Sequence, residues 1–129
     1  MADELEVEVL PAAGGSEQLQ LESCVRDGEH TLVLRGELDA ACAARFESSV
    51  RDACEQAPAT LVLDLSELAF MDSSGLRVVL FTQALCEQQG IELSIVEGMP
   101  QVQRLFAVIG LLDSLPLRSA SPRDSATSI

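Results

Sequence analysis

The sequence predicts an α/β domain: a mixed β-sheet, built from an N-terminal hairpin plus parallel strands and packed with α-helices, in the order β-β-α-β-α-β-α. Three observations carry that prediction. Two alternating runs, EQLQLESCVR and HTLVLRG, flank Asp27-Gly28, the short-range signature of a two-residue hairpin turn. Beyond them, segments with apolar residues every three or four positions alternate with short β-branched runs, the pattern of strand-helix-strand units. The composition is 47% hydrophobic with four Phe and no Trp or Tyr, so the core must be made of Leu, Val, Ile and Ala. At 129 residues the chain fits one domain that needs no disulfide or metal to hold it.

Residues 1–16 carry a cluster of acids before Pro11 and end in AAGGS, which reads as a flexible acidic extension. The alternation of Leu5, Val7 and Val9 with Glu4, Glu6 and Glu8 leaves an edge strand as the second reading. The folded unit spans 17–115. After the hairpin, Asp39 is placed to cap a helix over about 39–56, whose stripe of Cys42, Phe46, Val50, Ala53, Cys54 and Ala57 marks one buried face. Pro58 ends it. The run TLVLDL, 60–65, is apolar on both sides apart from Asp64 and reads as a central strand. A helix of about 74–89 follows, stopped by Gly90, with apolar residues around more than half its circumference. IELSIV, 91–96, is the next parallel strand. Val102, Leu105, Phe106 and Ile109 form the inward stripe of a last helix over about 99–109, ended by Gly110. The polar residues 116–129 read as a disordered tail.

Charge narrows the function. There are 21 acids against eight bases, all of them Arg, for a net charge of −13. Such a chain lacks the basic footprint that nucleic acid requires and is repelled by an anionic membrane surface. The N-terminus has no basic start followed by a long apolar run, and no stretch of about 18 apolar residues occurs, so a cytoplasmic protein is expected. Cys24, Cys42, Cys54 and Cys86 form no CxxC pair, and only His30 is available to join them, so no metal site is expected. Cys42 and Cys54 lie on one helix, separated by roughly 18 Å at the usual rise, too far to bridge. Four reduced core cysteines are the expectation, with Cys24 and Cys86 left open.

Two acidic turns marked by glycine should meet at one sheet edge, because parallel crossovers bring the segments after successive strands together. They are Gly36-Glu37-Leu38-Asp39 and Met71-Asp72-Ser73-Ser74-Gly75. An acid and two hydroxyls before a buried helix are good caps for its unpaired N–H groups. Phosphate on a serine here is also tolerable, since a helix N-terminus accepts one without unfolding.

These residues carry a resemblance. In the motifs LRGELDAACA (34–43), LVLDLSELAFMDSSGLRVVL (61–80) and VQRLFAVIGLLD (102–113), the chain from about Glu17 to Leu115 resembles the anti-sigma factor antagonists, or anti-anti-sigma factors, of the STAS domain family. The resemblance implies a single STAS domain and partner switching. The unphosphorylated antagonist binds an anti-sigma factor that is also a GHKL-type serine kinase and so frees the sigma factor. Phosphorylation of the first serine of the D-S-[ST]-G motif, here Ser73, releases the antagonist, and a PP2C-type phosphatase restores it. Asp39, Asp72, Ser73, Ser74 and Gly75 are the partner-binding residues that it implies; beside that, Ser74 is read mainly as the helix cap, Asp39 equally as an N-cap, and Gly75 equally as a helix-packing position or as a point of close approach for a partner. Arg77 departs from the many relatives with a small residue there, as does the acidic extension.

An enzyme is not expected. The serine has no glycine two positions before it, as a G-x-S-x-G nucleophile elbow needs, and His30, the only base candidate, reads as a solvated residue beyond the hairpin turn at the opposite edge. No phosphate-binding glycine loop is present, and no cofactor is implied. The alternative function is a STAS adaptor subunit of a transport or stress-signalling complex that uses the same surface without phosphorylation.

Overall fold

A computed structural model describes residues 6–10, 18–108, 110 and 115–118. Six strands and three helices follow one another as β1 (Glu6–Leu10), β2 (Leu19–Arg26), β3 (Glu29–Leu38), α1 (Ala40–Glu55), β4 (Thr60–Met71), α2 (Ser73–Gln89), β5 (Glu92–Val96), α3 (Pro100–Val108) and β6 (Leu117–Arg118). The strands lie in the sheet in chain order. β1, β2 and β3 run antiparallel, and β3 to β6 are parallel. The expected β-β-α-β-α-β-α order is therefore present from β2 to α3, with one more strand at each end.

Both added strands come from segments that the sequence reading set outside the folded unit. Residues 6–10 pair with β2 from Glu6↔Val25 to Leu10↔Leu21, which is the edge-strand reading of the acidic extension. Leu117 and Arg118, assigned to the polar tail, pair with Ile95 and Val96. The expectations for residues 1–5, 11–16 and 119–129 lie outside the described residues.

The β2–β3 hairpin turns on Asp27 (φ 52°) and Gly28 (φ 82°), both left-handed, as a two-residue turn between twisted strands requires. This tight turn corrects the reading of His30. Because only two residues separate the strands, His30 already sits in the inward row of β3 with Leu32 and Leu34. It is buried, with Nε2 2.6 Å from Ser23 Oγ on β2.

The core is one cluster on one face of the sheet. Leu19 and Leu21 of β2, Leu32 and Leu34 of β3, Leu61, Leu63 and Leu65 of β4 and Ile95 of β5 meet Phe46 and Val50 of α1 and Val79 of α2. Val102 and Phe106 of α3 complete it, Leu105 is half-buried, and Ile109 lies outside the described residues. Burying a side chain of this kind contributes about 1.5–3 kcal/mol, so the leucine rows set the stability of the domain. The reverse face is more polar. There Arg35 reaches Glu22 on β2 at 2.8 Å and Glu67 on β4 at 2.6 Å, and these hydrogen bonds raise the Arg35 pKa further.

Strand β4 runs to Met71, six residues past its expected end at 65, and α2 begins at Ser73. Only residues 60–64 of β4 pair with β5, while its second half pairs with β3 alone across register shifts near Val33 and Gly36. With one neighbour missing, the apolar pattern that marks a central strand is lost.

The four thiols are free. Cys42, Cys54 and Cys86 belong to the core as expected, whereas Cys24 on β2 is only half-buried. Cys54 and Cys86 share a thiol contact between α1 and α2. Burial pushes both thiols up, Cys86 to about 12. Since the thiolate is the reactive form, a disulfide reagent at pH 8 should label one thiol per native chain, Cys24, and four in denaturant. Rapid labelling of two or more in the native protein would contradict the packing.

Candidate functional site

The C-terminal ends of β3 and β4 are paired through Leu38↔Met71, and each strand passes directly into a helix. The two turns have the same construction. Asp39 is extended (φ −128°, ψ −169°) and its carboxylate accepts the Ala41 N–H at 3.0 Å. Asp72 is likewise extended (φ −111°, ψ −169°) and its carboxylate accepts the Ser74 N–H at 2.8 Å. Both aspartates are N-caps, satisfying donors that the helix itself leaves open. The turns are joined by the Asp72 N–H, which donates to the Leu38 carbonyl at 3.2 Å. The predicted convergence of the two acidic turns is present.

This geometry corrects the reading of Ser74. Asp72, not Ser74, caps α2, because β4 continues to Met71 and leaves Asp72 as the last extended residue. Ser73 becomes the first helical residue and is exposed, while Ser74 is half-buried. Neither hydroxyl is needed to start the helix. For Asp39 the capping reading is the one observed, with the Cys42 thiol also 3.5 Å from its carboxylate.

Gly75 is buried beneath the turn. A Cβ there would stand 2.6 Å from Leu38 Cδ2 and 2.8 Å from Met71 Cγ, so the missing side chain is what lets α2 descend onto the ends of β3 and β4. Of the two readings of Gly75, helix packing is the one its surroundings explain.

Two surface features flank the turn. A groove of about 490 Å³ between α1 and α2 is lined by Ala40, Ala43, Ser74, Arg77 and Phe81 among others. On the chain just before Asp72, Phe70 is 46% exposed and shares a mainly apolar cleft with Leu105 and with Val108, itself 74% exposed. Sequence reading assigned no role to these apolar residues. The available signal was the small residues on the outer side of α1 and a Phe at an outward position of β4.

Among the described residues no group of His, Cys, Asp and Glu could hold a metal ion, and no helix is long and apolar enough to cross a membrane. The site consists of two capped helix starts, an exposed hydroxyl and adjoining apolar ground. The class is a mixed-sheet α/β domain, and the comparisons give its family. The STAS domain model matches residues 20–122, and the chain belongs to the STAS domain family. It is 34% identical over 100 residues to the anti-sigma F factor antagonist of Paenibacillus polymyxa, covering 77% of this chain and 86% of that protein. The structure of the anti-sigma factor antagonist SpoIIAA in its unphosphorylated form matches with a TM-score of 0.67 and 27% identity, over 86% of this chain and 97% of that one. The Bacillus cell fate determinant SpoIIAA in the phosphorylated form matches with a TM-score of 0.64 and 24% identity, over 85% and 97% of the chains, a likeness of fold.

The capping geometry predicts a stability pattern. Asp39→Ala and Asp72→Ala should each cost about 1 kcal/mol through the lost cap. Gly75→Ala should cost about 1–3 kcal/mol through overpacking against Leu38 and Met71. Ser73→Ala should stay within about 0.5 kcal/mol of wild type. Urea denaturation checks all four; a loss at Ser73 as large as that at Asp72 would mean that the serine is the cap.

Proposed function

We propose that this protein is an anti-sigma factor antagonist that works by partner switching, with Ser73 as its phosphoacceptor. In its unphosphorylated form it binds an anti-sigma factor that is also a GHKL-type serine kinase, and the sigma factor is freed. The kinase transfers the γ-phosphoryl group of ATP to Ser73 Oγ, whose proton is lost as ADP leaves. The phosphorylated antagonist dissociates. A PP2C-type phosphatase restores it, using water to give serine and inorganic phosphate.

The observation that carries this reading is the division of labour at the start of α2: Asp72 does the capping, and Ser73 stands exposed on the first helical turn. A serine committed to the cap would have to give up that hydrogen bond to accept a phosphate. Among the described residues Ser73 has no such bond to give up. The partner face comprises Asp39, Asp72, Ser73 and Ser74, with Gly75 supporting it from beneath. Phe70 and Val108 offer apolar area beside it, the kind of surface that an interface core uses. The anti-sigma factor antagonists among its relatives support the choice of partner.

Release follows from electrostatics. A phosphoserine brings about −1.5 to −2 charges at neutral pH. Here that charge arrives next to Asp72 and near the Asp39 turn, in a chain already at −13. Burying it against a partner surface shaped for a neutral hydroxyl requires desolvation that costs several kcal/mol. The complex then separates while the domain stays folded.

Incubation with ATP and a lysate of its own host, followed by tandem mass spectrometry, should place phosphate on Ser73, none on Ser74, and none on the Ser73→Ala protein. A lysate with active kinases that leaves Ser73 unmodified would favour the adaptor role instead. In pull-downs from the same lysate, Ser73→Ala should retain the kinase and Ser73→Glu should lose it; equal recovery by both would contradict release by charge.

A further inference from the structure

Arg77 lies four residues after Ser73 on α2, one turn along the same helix face. It is exposed and lines the groove between α1 and α2 beside Ser74. Among the described residues it makes no ion pair. Glu47, the carboxylate that lines the groove with it, is taken by Arg51 at 2.9 Å, and the aspartates at the two helix starts, Asp72 and Asp39, hold caps. Arg51 in turn stacks over the Phe81 ring at 4.7 Å. Among the described residues, a guanidinium one helical turn from the acceptor serine is thus left without an ion-pair partner.

Resting on the reading of Ser73 as phosphoacceptor, we infer that Arg77 is a positioning residue for the phosphorylated state, clasping phosphoserine 73 in an i,i+4 ion pair along α2. Phosphate is the anion that guanidinium recognises best, through paired N–H donors. A charged pair at this spacing also stabilises the helix that carries it. The clasp gives the phosphorylated surface a defined shape as well as a new charge, because the phosphate is drawn along α2 toward the mouth of the groove. Without Arg77 the same phosphate would stand next to Asp72 on a helix with no other basic residue.

The test is independent of any kinase. Phosphoserine is installed genetically at position 73, and its second ionisation, near pH 6 in an unperturbed phosphoserine, is followed by ³¹P NMR. With Arg77 present the apparent pKa should be about 0.4 units lower than in Arg77→Ala, roughly a 2.5-fold stronger acid. Arg77→Lys should keep at least about half of that shift, and Arg26→Ala, at the hairpin end of the sheet, should leave it unchanged. Identical values for wild type and Arg77→Ala, or an equal change from Arg26→Ala, would overturn the clasp while leaving Ser73 as acceptor. Failure of Ser73 to be modified in lysate would overturn the acceptor and would not alter this titration.

Discussion

The contact on which the site depends is that of Leu38 with the start of α2. Leu38 ends β3, its carbonyl receives the Asp72 N–H at 3.2 Å, and its buried side chain occupies the space that a Cβ on Gly75 would need. One residue thus sets both how far β4 runs and how low α2 sits. Because Met71 must pair with Leu38, Asp72 is the last extended residue and takes the cap, and Ser73 is pushed onto the first helical turn. The exposed hydroxyl is a consequence of strand register.

The choice of aspartate for both caps has a functional side. An aspartate cap is already charged and already hydrogen-bonded, so it holds the helix start whatever happens to the residue after it. A serine cap in the same place would make helix stability and phosphorylation compete for one oxygen. In the proposed switch, separating the two tasks across adjacent residues would let the surface change charge while the helix start stays capped. The apolar ground at Phe70 and Val108 and the α1–α2 groove lie on either side of this point, so a partner that covers the serine also buries area from both.

Much of this was legible in the sequence because it rests on local chemistry. The Asp27-Gly28 turn needs two residues that tolerate positive φ, and the helix stripes of Phe46, Val50, Val102 and Phe106 follow from the helical repeat. Convergence of the two acidic turns followed from crossover topology. What escaped was set by long-range pairing. Asp72, Ser73 and Ser74 are all competent caps, and which one serves is decided by where β4 stops, a matter of register with β3. The second half of β4 lost its pattern because β5 is too short to cover it. His30 read as a surface residue because it stands beside the turn, although its alternation with Leu32 and Leu34 already put it in the inward row of the strand. β6, two residues in length, has too little pattern to announce itself.

In the proposed switch, phosphorylation at Ser73 changes the surface and leaves the fold alone. The most direct test compares ¹H–¹⁵N spectra and urea unfolding of the unmodified protein with the protein carrying phosphoserine at 73. The account predicts shift changes confined to the two joined turns and the first turns of α1 and α2, with unfolding free energies equal within about 0.5 kcal/mol. Widespread shift changes, or a loss of about 2 kcal/mol or more, would mean that Ser73 is part of the structural cap and would contradict it.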